Sequence, residues 1–198
     1  MAVIPSSSER IAPMAEYPEL FSDLKHMNVI LTNACNLSCT YCYEQHKKDY
    51  GRFTVEKLKR FYDFHLGCNQ HGQKVFQFFG GEPLIHKALI LSFIRQHGEE
   101  LARNAHKLTV SINTNGTLLS RDFLDEYFRA DFTGINISLD TLDVSIDRRE
   151  LAQEKINHIL SMVSHVPQAV KDSKRLSIRC TISVETARDL DSFIDELY

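Results

Sequence analysis

The sequence predicts an α/β fold, a partial parallel (βα) barrel with about five βα units. Short runs rich in β-branched and aromatic residues alternate with longer segments whose apolar residues recur at helical spacing. Strict alternation of this kind favours parallel strands joined by crossover helices on the outside of the sheet. A complete eight-unit barrel takes about 250 residues, so a chain of 198 residues predicts only part of one.

Each element follows from its local pattern. In the first predicted helix Leu58, Phe61, Tyr62 and His65 share one face at the i, i+3, i+4, i+7 spacing. Ser120 stands at the N-cap position of the third helix. The predicted strands are 27–32, 74–79, 108–113, 134–139 and 175–183. The predicted helices are 54–66, 87–104, 121–129, 148–165 and a last one that begins at Asp189.

The domain organisation and the setting follow from composition. We expect residues 27–198 to form the core and residues 1–26, with three prolines and a triple serine, to form a leader or surface strap. A net charge of −3 gives no global electrostatic case for nucleic acid. No stretch approaches the ~20 apolar residues of a membrane span, and the N-terminus lacks the pattern of a secretory signal. The sequence therefore predicts a cytoplasmic protein without membrane or nucleic-acid partners.

Polar and glycine-rich residues close every predicted strand. Because ligands of parallel α/β folds bind at the carboxyl ends of the strands, these residues are expected to meet at one rim. In strand order they are the segment Cys35–Cys42, then Gly80, Gly81 and Glu82, then Asn115, then Ser138 and Asp140, and finally Arg179. The sequence therefore predicts a ligand site at this rim.

Three of the five cysteines, Cys35, Cys39 and Cys42, have the spacing Cys-x3-Cys-x2-Cys. A buried helical stripe is disfavoured because the polar residues between them are poor helix formers. A zinc site with His46 as fourth ligand is a second interpretation, although structural zinc usually pairs two such knuckles. The third is an iron–sulfur cluster with one iron left open for a ligand.

The segment Cys35-Asn-Leu-Ser-Cys39-Thr-Tyr-Cys42-Tyr resembles the signature loop of the radical S-adenosylmethionine (radical SAM) enzymes, including the aromatic residue before the third cysteine. Later motifs resemble that family in the same order along roughly residues 27–198. They are Gly-Gly-Glu-Pro at 80–83, Asn-Thr-Asn-Gly at 113–116, Ile-Ser-Leu-Asp at 137–140 and Ile-Arg-Cys-Thr-Ile at 178–182.

The resemblance implies a [4Fe-4S] cluster on Cys35, Cys39 and Cys42, with SAM on the fourth iron. A reductant such as flavodoxin or ferredoxin would then drive cleavage of SAM to methionine and a 5′-deoxyadenosyl radical, which abstracts hydrogen from a substrate. The protein's part is to bind and orient these groups. The SAM contacts that the resemblance implies are Tyr41, Gly80, Gly81, Glu82, Asn115, Ser138, Asp140 and Arg179.

Within the family the motifs are most similar to the SPASM-type maturases of peptides and proteins, which include anaerobic sulfatase-maturating enzymes. Ser138-Leu-Asp-Thr-Leu-Asp143 is also similar to the cyclase of molybdenum-cofactor synthesis. The expected SAM-binding arginine position holds Glu150, so Arg148, Arg149 or Arg179 would have to serve.

We expect a truncated or shortened enzyme that acts on a peptide, protein or small-molecule substrate. A glycyl-radical activating enzyme is one alternative. A non-catalytic cluster- or metal-binding module or remnant is another.

Overall fold

The computed structural model describes residues 24–43, 52–68, 72–149 and 151–197. Its centre is a five-stranded, all-parallel sheet in the order β1-β2-β3-β4-β5. The strands are β1 (His26–Thr32), β2 (Lys74–Gly80), β3 (Leu108–Thr114), β4 (Thr133–Ser138) and β5 (Leu176–Arg179). Strands that follow one another in the chain are neighbours in the sheet, which confirms the predicted partial barrel. The proposed leader lies almost entirely outside the described residues.

The helices are α1 (Val55–Cys68), α2 (Lys87–Arg103), α3 (Arg121–Tyr127), α4 (Gln153–His165), α5 (Gln168–Asp172) and α6 (Leu190–Leu197). Helix α4 begins five residues later than predicted, because Arg149 turns inward to pair with Asp140. Strand β5 ends at Arg179 rather than at residue 183, since the Thr181 amide donates to Asp140. The short helix α5 was absent from the sequence prediction.

The core lies between the sheet and its helices. Phe76 and Phe78 on β2 pack against Tyr62 of α1 and Phe93 of α2, with ring centroids 5.6–6.1 Å apart. All four side chains are fully buried, and each contributes on the order of 1.5–3 kcal/mol through burial. Among the described residues no helix has the length and apolar character to cross a membrane.

The opposite face of the sheet is concave and polar. Gln77 on β2 donates to Ser111 on β3 (3.1 Å), and Ser177 on β5 donates to Asn136 on β4 (2.5 Å). Gln77, Ser111, Asn136 and Arg179 help to line a cavity of about 510 Å³. In complete barrels this position is filled by bulky branched side chains. Here polar side chains line a cavity instead, so the inner face is open to a polar ligand.

Candidate cofactor site

The three clustered cysteines lie on residues 33–43, which we call the cluster loop and which directly follows β1. Cys35 is exposed, whereas Cys39 and Cys42 are half-buried. Burial raises the pKa of the Cys39 thiol to about 11; the Arg149 guanidinium opposes this effect, and Cys35 and Cys42 add to it. The loop therefore brings its three thiols close enough to influence one another.

The donors fit an iron–sulfur cluster better than a single metal ion. No three His, Cys, Asp or Glu side chains among the described residues converge on one metal position, and His46 lies outside those residues. A cubic cluster instead binds each thiolate at a separate iron. The Leu37 amide (3.4 Å) and the Asn115 side-chain amide (3.7 Å) point donors at Cys35 Sγ, the contacts that stabilise a cluster-bound thiolate.

The glycine pair after β2 is required by the chain's own backbone. The Gly81 amide donates to the Thr32 carbonyl and the Glu82 amide to the Ala34 carbonyl, both at 2.8 Å. A Cβ on Gly80 would lie closer than 3.0 Å to the Thr32 carbonyl oxygen, and one on Gly81 equally close to that of Ala34. Gly80 also has a φ of +127°, which side chains rarely adopt. These glycines therefore seat the start of the cluster loop on the end of β2.

Glu82 joins β2 to β3 through a fully buried carboxylate. It accepts hydrogen bonds from the Leu84 amide (2.9 Å), the Thr114 hydroxyl (2.7 Å) and the Asn115 amide (2.8 Å). Burial raises the pKa of Glu82, and these three hydrogen bonds oppose that shift. Because the carboxylate is already held by protein donors, it braces the rim; its contact with the SAM ammonium stays a prediction.

Asn115 faces the cluster loop rather than standing apart from it. Besides approaching Cys35, its side-chain nitrogen donates to Asn36 Oδ1 (3.0 Å). Its side-chain oxygen accepts from the amide and the hydroxyl of Thr117 (3.0 and 2.6 Å). Asn36 in turn donates to Thr117 (2.7 Å), so the first part of the cluster loop is tied to the end of β3.

Asp140, Arg149 and Tyr41 tie the second part of the loop to the end of β4. The Asp140–Arg149 ion pair is 2.7 Å long, and both side chains are only 3% exposed. The Tyr41 hydroxyl donates to Asp140 (2.5 Å) and accepts from Arg149 Nε (2.9 Å). Burial and the hydrogen bond to Asp140 raise the pKa of Tyr41 to about 12, so the phenol stays protonated.

The three candidate SAM-binding arginines differ in their surroundings. Arg149 is committed to Asp140, to Tyr41 and to the Ser138 carbonyl. Arg148 is exposed, with its guanidinium carbon 5.6 Å from the centre of the Tyr41 ring. Arg179 is exposed on β5 and pairs in register with Ser138. Arg148 and Arg179 therefore face solvent, whereas the hydrogen bonds of Arg149 hold parts of the rim together.

Sequence reasoning missed other members of the rim. Thr114 supplies a donor to Glu82; it stands at a buried position of β3, and a polar residue there signals a buried partner. Cys180 is another such member, and its sulfur donates to the Asp140 carbonyl oxygen at 3.0 Å. That partner lies 40 residues away in the chain, and no local pattern indicates it.

Comparison with known proteins gives a family match over almost the whole described chain. The profile of the radical SAM superfamily matches residues 29–197. A GTP 3′,8-cyclase from Chlorobaculum tepidum is 32% identical over 163 residues, 78% of this chain and 45% of that protein. A GTP 3′,8-cyclase from Paracoccus denitrificans is 28% identical over 180 residues, 88% of this chain and 47% of that protein. The chain thus spans about half the length of these curated relatives.

Solved structures that share the fold include two with a bound peptide. The anSMEcpe structure with bound AdoMet and the Cp18Cys peptide has a TM-score of 0.64 at 22% identity, covering 86% of this chain and 46% of that one. Streptococcus suis SuiB bound to its precursor peptide SuiA has a TM-score of 0.65 at 19% identity, covering 89% and 38%. At these identities the likeness establishes the fold alone.

Proposed function

We propose, from the premise that this chain belongs to the radical SAM superfamily, that it is an enzyme that abstracts a hydrogen atom from a peptide or protein side chain. The family's cofactors are a [4Fe-4S] cluster and SAM, which confirms the cofactor prediction. Bound together, they supply one-electron reductive cleavage of SAM to methionine and a 5′-deoxyadenosyl radical, with the electron coming from a donor such as flavodoxin or ferredoxin. The observation that carries the proposal is the cluster loop, tied by hydrogen bonds to the ends of β2, β3 and β4.

In this proposal the cluster loop holds the cluster through Cys35, Cys39 and Cys42. We propose that the Ser138 hydroxyl and Arg179 bind polar groups of SAM; their register pairing at the ends of β4 and β5 supports this assignment. Tyr41 presents an exposed ring whose hydroxyl is fixed. The remaining predicted contacts, Gly80, Gly81, Glu82, Asn115 and Asp140, shape the rim around them.

A peptide or protein substrate is supported by the chemistry of the concave face. Its inward-facing amide and hydroxyl side chains offer both donors and acceptors to peptide groups. They include Asn28, Gln77, Ser111, Asn113, Asn136, Ser138 and Ser177. The fold neighbours bound to peptides agree with this proposal.

Cyclisation of GTP is a second candidate, favoured by the sequence relatives. A triphosphate is usually bound by several Lys and Arg side chains. The cavity on the concave face has Lys174, Arg175 and Arg179 in its lining, together with Asp131. Arg175 already donates to the carbonyls of Thr133 and Ala130, and Arg179 is a proposed SAM contact. Of these three cations only Lys174 has no other role assigned to it, which ranks this candidate second.

Anaerobic reconstitution tests the shared chemistry. We expect an absorbance band at about 400 nm, about four irons per chain, and formation of 5′-deoxyadenosine that depends on dithionite. Cys39→Ala should lose the cluster, while Cys68→Ala, outside the cluster loop, should retain it. A loaded protein that forms no 5′-deoxyadenosine would identify a non-catalytic module instead.

A deuterium transfer experiment separates the two substrates. If GTP is the substrate, deuterium from the ribose 3′ carbon of labelled GTP should appear in 5′-deoxyadenosine. Under the peptide proposal this label stays in GTP, and 5′-deoxyadenosine formation rises with cysteine- or serine-containing peptides instead. Transfer from GTP would overturn the peptide assignment while leaving the radical chemistry in place.

We further propose that residues 27–198 are the cofactor-binding core, that residues 1–26 are a separate leader or strap, and that the protein works in the cytoplasm. The charge of −3 supports a role without nucleic acid.

A further inference from the structure

Besides the backbone hydrogen bond from Glu82 to Ala34, the cluster loop has two attachments, each a group of side-chain contacts, which differ in strength. Near Cys35 it is held by neutral contacts of Asn115 and Thr117 at the exposed edge of the rim. Near Cys39 and Cys42 it is held by Tyr41, which reaches a buried ion pair on β4 and the segment that follows it. Hydrogen bonds to charged groups are about twice as strong as neutral ones, so the second attachment is the stronger.

Several hydrogen bonds from different parts of the chain hold the second attachment in place. Arg149 Nε lies 2.9 Å from the Tyr41 hydroxyl and 3.0 Å from Asp140 Oδ2, and Nη2 lies 2.7 Å from Asp140 Oδ1. Nη1 donates to the Ser138 carbonyl, while the Thr181 amide donates to Asp140 Oδ1 (2.8 Å). These contacts satisfy the pair from several elements, so neither side chain can turn away without leaving a buried charge unpaired.

The backbone reinforces the same connection. The Thr40 amide donates to the Arg148 carbonyl at 3.0 Å, and the Arg148 guanidinium lies over the Tyr41 ring. In the same segment the Leu151 amide donates to the buried Asp147 carboxylate at 2.8 Å. Both residues between Cys39 and Cys42, Thr40 and Tyr41, thus contact the segment that holds Arg148 and Arg149.

We propose that Tyr41, Asp140 and Arg149 form a latch that holds the Cys39–Cys42 half of the cluster loop against β4, with Arg149 as a positioning residue rather than a SAM ligand. All contacts of the latch are between protein atoms, so its integrity can be tested on the protein without cofactor. Its purpose is to fix two of the three thiols, leaving Cys35 on the separate attachment at Asn115.

Thiol labelling of the cofactor-free protein tests the latch. Tyr41→Phe removes the hydroxyl and keeps the ring, and Tyr43→Phe, at a 66% exposed position in the same loop, is the matched control. The protein is labelled with iodoacetamide at constant pH, and mass spectrometry follows the labelling rate of each cysteine. Tyr41→Phe should raise the labelling rates of Cys39 and Cys42 by roughly tenfold, because one hydrogen bond to a charged group is lost.

The pattern across the cysteines decides the result. Cys35, attached elsewhere, and Cys68, buried in α1, should label at the wild-type rate in Tyr41→Phe. Arg149→Lys, which keeps the charge but loses the forked geometry, should give the same selective pattern. Equal acceleration at Cys35, Cys39, Cys42 and Cys68, or no difference between Tyr41→Phe and Tyr43→Phe, would overturn the latch. Neither readout depends on catalysis, so failure of the proposed function would not affect it.

Discussion

Gly81 marks the point where two segments of the rim come closest together. Its amide donates to the Thr32 carbonyl, and the space that a side chain would need is occupied by the backbone of Asn33 and Ala34. Paired glycines after a strand suggest close approach to a ligand. Here the close neighbour is the cluster loop itself, so the glycines fix the start of the loop that carries the three thiols.

Gly81→Ala should therefore displace the start of the cluster loop. We expect a loss of about 1–3 kcal/mol in the free energy of unfolding, as for other overpacked sites, together with reduced iron loading. Gly98→Ala is the matched control, because a Cβ there meets nothing within 4 Å and the residue lies inside α2. It should stabilise the protein by about 0.5–1 kcal/mol. Urea unfolding measures both, and equal effects would contradict the role given to Gly81.

His65 is a buried histidine without catalytic partners among the described residues. Its Nε2 lies 3.0 Å from the Leu24 carbonyl, while Nδ1 is buried with no hydrogen-bond partner. Burial lowers the pKa of His65 to about 4. The neutral ring therefore belongs to the fold, where it seats the segment before β1 on α1.

This burial makes stability depend on pH. The unfolded chain takes up a proton at His65 near pH 6.5, the folded chain only near pH 4, so stability falls as the pH drops through that interval. The loss should approach about 3 kcal/mol. The free energy of unfolding of wild type and of His65→Phe can be measured with urea between pH 7 and pH 4.5. The variant should lack the part of the pH dependence that His65 causes. Parallel curves for the two proteins would contradict it.

At the scale of elements, the rim is braced strand to strand. Glu82 connects the end of β2 with Thr114 and Asn115 at the end of β3, and the Thr114 hydroxyl also accepts from the Gly116 amide (3.0 Å). Asp140 connects β4 with the segment after β5. Each brace uses a buried carboxylate, and hydrogen bonds from several protein donors replace the water that the carboxylate has lost.

Thr114→Val tests the brace between β2 and β3. It removes a hydroxyl that donates to a buried carboxylate, and we expect a loss of about 1.5–3 kcal/mol. Thr109→Val in the same strand is the matched control, because its hydroxyl donates to the neutral Lys74 carbonyl (3.2 Å) and should contribute only about 0.5–1.5 kcal/mol. Chemical unfolding of the two variants gives the comparison; a larger loss at Thr109 would contradict the brace.

The elements were predictable from local pattern, and the deviations have physical causes. Alternation and helical spacing located all five strands and the five longer helices. The ends of β5 and the start of α4 were misplaced because Asp140 draws Thr181 and Arg149 toward the rim. Motif spacing likewise predicted that the three clustered thiols and the polar residues that follow the strands lie at one rim of the sheet. The partners of Tyr41 lie 99 and 108 residues away, so only the folded chain reveals them.

At the scale of the whole molecule, the cofactor site and the sheet are one structure. The cluster loop contacts the ends of β2, β3 and β4, so ordering the loop also orders the rim. A ligand that binds only the folded chain stabilises all of it.

Loading the cluster should consequently raise the unfolding temperature of the entire chain. We expect a single transition at higher temperature in reconstituted protein, followed by far-ultraviolet circular dichroism, and its return on chelation of the iron. Cys39→Ala should show no rise, whereas Cys68→Ala should retain it. An unchanged transition after full iron loading would contradict the coupling.

The distance along the chain between Tyr41 and Arg149 also sets an order of events during synthesis. The cluster loop emerges from the ribosome early, but its latch requires a residue made 108 positions later. Domains form their long-range contacts only when both partners have been made, and such contacts are slow to close. The proposed latch can therefore close only after β4 and the segment that follows it have been made.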